Sequence, residues 1–288
     1  MESNGRTKQC SGLAINSILM GRPRSRAADC SRSVLKMKLS VVTPAHNEER
    51  HLAACVSAVA ESARLASIDF EHIVVLNRCN DRTEEIAVSL GCRLVHEDAR
   101  NLSRIRNAGV SAANGEIIVT IDADSVMSRN MLAEVVRMLS TRRYIGGGVR
   151  IVPERWSLGI ACSLMVVLPF VLWHRVSAGM FWCFKSDFDT IGGFDENLVC
   201  VEDVDFGTRL KHLGRKRGLR YGTIRRAHIT TSCRKFDQFG DWYFVRHPGV
   251  VWNIFRRSQK TSDAFYYDAR STEQSGEREP PITRDLKS

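Results

Sequence analysis

Nine cysteines are scattered through the 288 residues without a single Cys-x-x-Cys pair, which removes the usual zinc and dithiol-redox spacings. An odd count with no framework spacing also argues against a disulfide scaffold and for a reducing compartment. Cys55, Cys92 and Cys162 fall in apolar stretches and read as small core residues. The first 36 residues contain no aromatic side chain and no uninterrupted apolar segment. They therefore lack a base-stacking platform for nucleic acid and the hydrophobic centre of a cleaved signal peptide. They carry seven Lys/Arg against two Asp/Glu, half of the chain's formal charge of +10. Such an arm reads as a disordered extension or as an over-long start before Met37, with an organelle transit peptide as the alternative. Residues 156–173 hold no charge at all. That length reaches the lower limit of a membrane span. Pro169 inside it and His174-Arg175 directly after it favour an interfacial or groove-forming helix that touches lipid.

What is present is a core. At 43% hydrophobic residues the chain can bury a large domain. From Lys38 onward, short β-rich runs alternate with amphipathic stretches. Residues 39–43 form a first strand closed by Pro44, and a helix from about Glu48 carries Leu52, Cys55, Val56 and Val59 on one face. Residues 72–76 are a second strand. Asp81 and Glu84 have capping-box spacing for a helix that Gly91 stops. Residues 93–96 are a third strand; a helix over 103–114 ends at Gly115, and the mainly apolar run 116–121 reads as a fourth, buried parallel strand. Ser128 is placed to cap a helix through Met131, Leu132, Val135, Val136 and Leu139. This succession predicts an α/β fold with a doubly wound, mainly parallel sheet over residues 38 to about 140. The second half is less regular, with strands at 145–152 and 179–184 and a helix carrying Val204, Leu210 and Leu213 that Gly214 ends. The organisation expected is a basic extension (1–36), a first half (37–144), a second half with the apolar helix (145–257) and a disordered polar tail (258–288).

Asp122-Ala123-Asp124 ends the fourth strand, at the edge where open α/β sheets bind ligands. On an extended backbone the two carboxylates share a side and suit one hard cation. Three further motifs lie at neighbouring strand ends: Thr43-Pro44-Ala45-His46-Asn47-Glu48-Glu49, then Leu76-Asn77-Arg78-Cys79-Asn80-Asp81, then Gly192-Gly193-Phe194-Asp195-Glu196 with Glu202-Asp203-Val204-Asp205. Together with Arg106-Asn107-Ala108-Gly109, these motifs in this order resemble the family 2 glycosyltransferases of the GT-A fold.

The resemblance implies an inverting glycosyltransferase that uses a nucleoside-diphosphate sugar, a hydroxyl acceptor, and Mg²⁺ or Mn²⁺. By it, Pro44, Ala45, Asn47, Glu48, Asn77, Asp81, Arg106, Asn107 and Asp122 would line the donor site. Asp124, with Asp122, would hold the metal, and His228 is a further candidate ligand. Asp203 would be the base, supported by Glu202 and Asp205. Gly192, Gly193, Asp195 and Arg234 would belong to the acceptor side, with Arg234 and Lys235 free to reach phosphates, anionic lipid or water. Helix initiation alone also explains Asn47-Glu48 and the acidic run at 202–205, and a solvated helix face competes for Arg106 and explains Arg104 more simply. One departure stands out. Many members carry an Asp where this chain has Leu76, and leucine cannot accept the imide N–H of uracil. This weakens a uridine donor and leaves guanosine and thymidine donors open, unless Leu76 is simply core. The expected location is cytoplasmic and peripheral on the inner membrane face, with no nucleic-acid partner. A nucleotidyltransferase and a catalytically silent nucleotide-sugar-binding protein are the competing readings.

Overall fold

A computed structural model describes residues 37–174, 177, 179–198, 201–247 and 249. The extension and tail read as disordered lie outside the described residues. Eight strands form one sheet: β1 Leu39–Ala45, β2 Phe70–Leu76, β3 Arg93–His96, β4 Ile117–Ile121, β5 Ser125–Met127, β6 Tyr144–Pro153, β7 Met180–Phe184 and β8 Arg220–Thr231. Their order is β3-β2-β1-β4-β7-β6-β8-β5. The first four are parallel, β7 runs antiparallel to both β4 and β6, and β5 is antiparallel to β8. Among the described residues the helices are α1 Leu52–Ala66, α2 Thr83–Ser89, α3 Leu102–Ser111, α4 Met131–Ser140, α5 Leu158–His174, α6 Lys185–Thr190, α7 Glu202–Lys216, α8 Arg234–Phe239 and α9 Tyr243–Arg246.

The apolar runs end up as central strands because both of their faces are covered. Ile117, Val119 and Ile121 of β4 pack with Val59 of α1 and Met131, Leu132 and Val135 of α4. Ile118, on the opposite face, joins Ile105 and Val110 of α3 with Phe188, Phe206 and Leu210. This is the alternation that a period of two imposes on a strand. Trp182 of β7 is fully buried where the two halves of the sheet meet, and its indole N–H donates to the Gly148 carbonyl at 3.0 Å. Gly147 makes that junction close: a Cβ there would sit 1.8 Å from the Gly222 carbonyl oxygen.

Several element ends differ from the sequence expectation, each for a local reason. α1 begins at Leu52 because Asn47 takes a left-handed φ of 54° and residues 48–51 form a turn on the Glu48 carbonyl. The Asp81 carboxylate does not form a capping box with Glu84; it accepts from the Thr83 N–H and hydroxyl and from the Glu49 N–H. Ser128 supplies its carbonyl to Met131, while its hydroxyl donates to Asn130 and accepts from the His228 N–H. Gly214 lies within α7 against Ile145, and the left-handed Gly218 follows the helix instead. Cys55 is buried as expected, whereas Cys92 and Cys162 are partly exposed. α5 has 17 residues and contains Pro169. Among the described residues no helix is long and apolar enough to cross a membrane.

Candidate active site

The Asp122–Asp124 segment is a turn rather than an extended strand end, closed by the Ser125 N–H on the Asp122 carbonyl. Ala123 is buried beneath it with Ala45 and Leu76, and the Cys55 thiol points at the Asp122 carbonyl. The turn sends its two carboxylates to different arginines. Asp122 accepts from Arg106 at 2.9 Å, and Asp124 lies 3.6 Å from the Arg234 guanidinium.

Arg106 is the hub. Its side chain, only 4% exposed, reaches across from α3 to Asp122 and also to Glu202 at 3.2 Å and Asp203 at 2.7 Å in the first turn of α7. Its Nε has no hydrogen-bond partner, and the guanidinium carbon stands 5.2 Å from the centre of the Phe194 ring. Phe194 stacks on Phe206 at 4.3 Å, and Phe181 and Phe188 close the aromatic floor. Burial alone would lower the guanidinium pKa, but Asp203, Asp122 and Glu202 together hold it above its ordinary value. Burial raises both Glu202 and Asp203. The neighbouring Asp203 charge raises Glu202 further, and Arg106 opposes both shifts. Val201, just before α7, holds a left-handed φ of 57°, a strained state for a β-branched residue.

A second ion pair ties the distant segments together. Glu48, 3% exposed, receives both Arg234 terminal nitrogens at 3.1 and 3.2 Å across 186 residues of sequence. The Lys235 side chain lies outside the described residues. The two loops expected to hold the donor are latched to each other. The Asn80 N–H donates to Asn47, the Glu48 N–H to Thr83, and the Asn77 N–H to the Ala45 carbonyl. The Asn77 side chain donates to the Glu97 and Ala99 carbonyls. Leu76 is a core residue, 2% exposed. Asp81 and Asn77 thus spend their polar groups on loop geometry. Arg104 pairs with Glu97 on an exposed face, in line with its simpler reading. Pro44 and Ala45 end β1 beside Val75 and Leu76.

On the other flank, the Gly-Gly-Phe turn is braced from beneath. The Asn107 amide donates to the Phe194 carbonyl and to Glu196, and its oxygen accepts the Phe194 N–H. Arg209, paired with Asp205 at 2.7 Å, donates to the Ile191 and Gly193 carbonyls. Asp195 accepts from the Asn197 N–H and amide. A shallow cleft of about 350 Å³ opens here between Asn107, Gly192, Asp195, Glu196 and Arg209. Gly193 has φ 67°, and a Cβ there would lie 2.6 Å from the Asn107 side-chain oxygen, whereas Gly192 (φ 76°) faces open space. Gly193→Ala is therefore expected to destabilise the fold by about 1–3 kcal/mol in urea denaturation, and Gly192→Ala by less.

His228 does not join the aspartates. Thr231 pairs with Ser125 and the Ser232 N–H reaches the Asp124 carbonyl, so the strand register leaves His228 three residues, about 10 Å, further along β8. Among the described residues no group of three or more His, Cys, Asp and Glu converges to hold a metal ion.

Residues 40–193 match Glycosyl transferase family 2. The chain belongs to this family. Its curated relatives include the uncharacterized glycosyltransferases Mb0553 of Mycobacterium bovis and EpsJ of Bacillus subtilis. Mb0553 is 32% identical over 101 residues, covering 35% of this chain and 43% of the relative. EpsJ is 31% identical over 98 residues, covering 32% and 28%. The chain thus spans less than half the length of these relatives. Among solved structures, glucosyl-3-phosphoglycerate synthase from Mycobacterium tuberculosis superposes with a TM-score of 0.54 at 18% identity, over 81% of this chain and 84% of that one. Residues 1–349 of S. aureus TarS give 0.53 at 16% identity, over 84% and 73%. At such identities the likeness speaks to the fold, which is GT-A.

Three features of this glycosyltransferase escaped the sequence reading: the pairing of Glu48 with Arg234, the Phe194 platform under Arg106, and the turn-bracing role of Asn107. None has a local signal, since each joins residues dozens to nearly two hundred positions apart. The Gly-Gly-Phe motif pointed to the turn but not to what holds it.

Proposed function

We propose that this glycosyltransferase moves a sugar, with inversion, from a nucleoside diphosphate to an acceptor hydroxyl, using Asp203 as the base. The supporting observation is that Asp122, beside the proposed donor loops, and Asp203, in the first turn of α7, meet on one buried guanidinium. Asp203 keeps 24% of its side-chain exposure, so one face of its carboxylate is open to an incoming hydroxyl. As the acceptor oxygen bonds to the anomeric carbon, its proton passes to Asp203 and the carbon–phosphate oxygen bond breaks. Arg106 orients Asp203 and disfavours its protonation before the acceptor arrives. Family membership selects glycosyl over nucleotidyl transfer among the readings left open.

The charge of the site fits a divalent cation, although Asp122 and Asp124 are each paired with an arginine. Glu48, Asp122, Asp124, Glu202 and Asp203 set five carboxyl groups around two guanidiniums, Arg106 and Arg234. A diphosphate meets negative charge there unless a cation accompanies it. Asp124 and Asp122 would hold the ion, and Mg²⁺ or Mn²⁺ supplies charge stabilisation to the departing diphosphate. A relative of the same fold, glucosyl-3-phosphoglycerate synthase, was crystallised with Mn²⁺ and UDP. Because Leu76 is core, recognition of the base falls to backbone groups and the 46–48 and 77–80 loops.

Thermal shifts with UDP, GDP and dTDP, each with and without Mn²⁺, test this reading. One nucleotide at a hundredfold excess over its Kd is expected to add about 2.7 kcal/mol of stability with Mn²⁺, and Asp124→Asn to abolish the gain. Absence of any metal-dependent shift would remove the donor site.

A further inference from the structure

The apolar helix α5 is built with its polarity reversed. Its inward side carries the polar contacts: the Ser157 hydroxyl, just before the helix, donates to the Asp241 carboxylate at 2.5 Å, and the Ser163 hydroxyl donates to the Asp241 carbonyl at 2.7 Å. Arg155 clamps Asp237 and Asp241 together. Gly159 lets the helix close on this support, since a Cβ there would sit 2.7 Å from the Asp241 Cβ and 3.0 Å from Trp242. The outward side is hydrocarbon. Leu158 is 73% exposed and Met165, two turns on, 70%; Trp156, before the helix, is 64% exposed, with Leu168 and Trp242 also in solvent. Of the twelve large apolar side chains that stand exposed among the described residues, seven lie on α5, on α9 or at the residues leading into them. A helix that turns serines inward and leucines outward is unfavourable in water unless something apolar covers it.

Charge identifies what covers it. Residues 156–174 contain no Asp or Glu, and Arg175 follows them in the sequence. Residues 242–262 also contain no Asp or Glu, and they carry Arg246, Arg256, Arg257 and Lys260. Exposed apolar side chains with tryptophans, in acid-free basic sequence, match the interface of an anionic bilayer, where indole sits at headgroup depth and each nearby Lys or Arg adds attraction. A second copy of the chain would bring the same basic sequence to the contact, like charge against like. The patch is also coupled to the reaction site. α8 begins at Arg234, which holds Glu48 and neighbours Asp124, and one turn later presents Asp237 to Arg155 at the base of α5.

We propose that the outward face of α5, with Trp156 and Trp242, docks this enzyme in-plane on an anionic membrane surface, so that its acceptor carries an apolar anchor held in that membrane. The docking stands independently of the proposed chemistry; only the acceptor class rests on it.

The test uses the full chain with vesicles of phosphatidylcholine alone or mixed with phosphatidylglycerol. Co-sedimentation with the anionic vesicles is expected, weakened by salt, with little binding to the neutral ones. Brominated lipid should quench the tryptophan emission of the wild-type protein, a reading that depends on no variant. Leu158→Glu and Met165→Glu should each lower vesicle affinity about tenfold or more. Nucleotide-dependent thermal shifts in both should match the wild type, which separates lost docking from a lost fold or a lost donor site. Absence of vesicle binding and of quenching by the wild type would overturn the proposal. So would a dimer that Met165→Glu dissociates while vesicle binding is unchanged.

Discussion

Arg106→Met is expected to cost about 3–5 kcal/mol of folding stability near neutral pH, because it removes the shared cation from buried Glu202 and from the partly exposed Asp203 and Asp122. For a domain of this size that corresponds to a fall in melting temperature of roughly 10 °C. Side-chain volume is nearly conserved and the apolar stem still packs on Phe194, so lost packing contributes little. The pH dependence identifies the cause. Without Arg106, the folded-state pKa values of Glu202 and Asp203, already raised by burial, rise further above their unfolded values. A carboxyl group with a raised folded pKa favours the fold while protonated and loses that contribution as pH rises through the folded value. The deficit relative to wild type should therefore be small in acid and grow through neutrality. Urea denaturation at a series of pH values measures it, and a deficit independent of pH would show that Arg106 acts through packing instead.

Asp203→Asn should leave the fold intact and remove the chemistry. Asparagine keeps an oxygen for Arg106 at 2.7 Å and relieves one of three crowded charges, so stability should hold or rise slightly near neutral pH. Loss of a positioned base lowers kcat by about a factor of 10²–10⁴. The readout is release of nucleoside diphosphate from the sugar donor, with water or an added alcohol as acceptor. Metal-dependent stabilisation by the nucleotide should persist, because Asp122 and Asp124, the proposed metal carboxylates, are unchanged. Wild-type kcat/KM should fall on the acid side at a pH above the ordinary range of an aspartate, since burial raises Asp203. That limb should vanish in the variant. Unchanged turnover in Asp203→Asn would move the base to another residue, with Glu202 first in line.

How much of this was legible beforehand depended on range. The strands of the first half were readable because β1, β2 and β4 are covered on both faces and so are mainly apolar, while β3 sits at a fixed offset after a glycine stop. The carboxylates were readable as candidates because each follows a strand end or opens a helix. The sequence alone thus determined the α/β class, the family and the residues that carry charge at the site.

Partnership was decided only by the tertiary structure. Arg106 looked equally suited to a phosphate or to solvent; folding places it between α3 and α7, where it neutralises residues 16, 96 and 97 positions away. Asp122 and Asp124 looked like one two-pronged ligand, but a turn between them gives each its own arginine. His228 was excluded by the register of β8 against β5, a long-range quantity with no imprint on its neighbours in sequence. The direction in which α5 turns its serines was likewise invisible, because a uniformly apolar helix has no preferred face until Asp241 supplies one. Short-range pattern fixes which elements form. Burial, register and ion pairing over long separations fix which side chains meet, and those depend on the closed sheet.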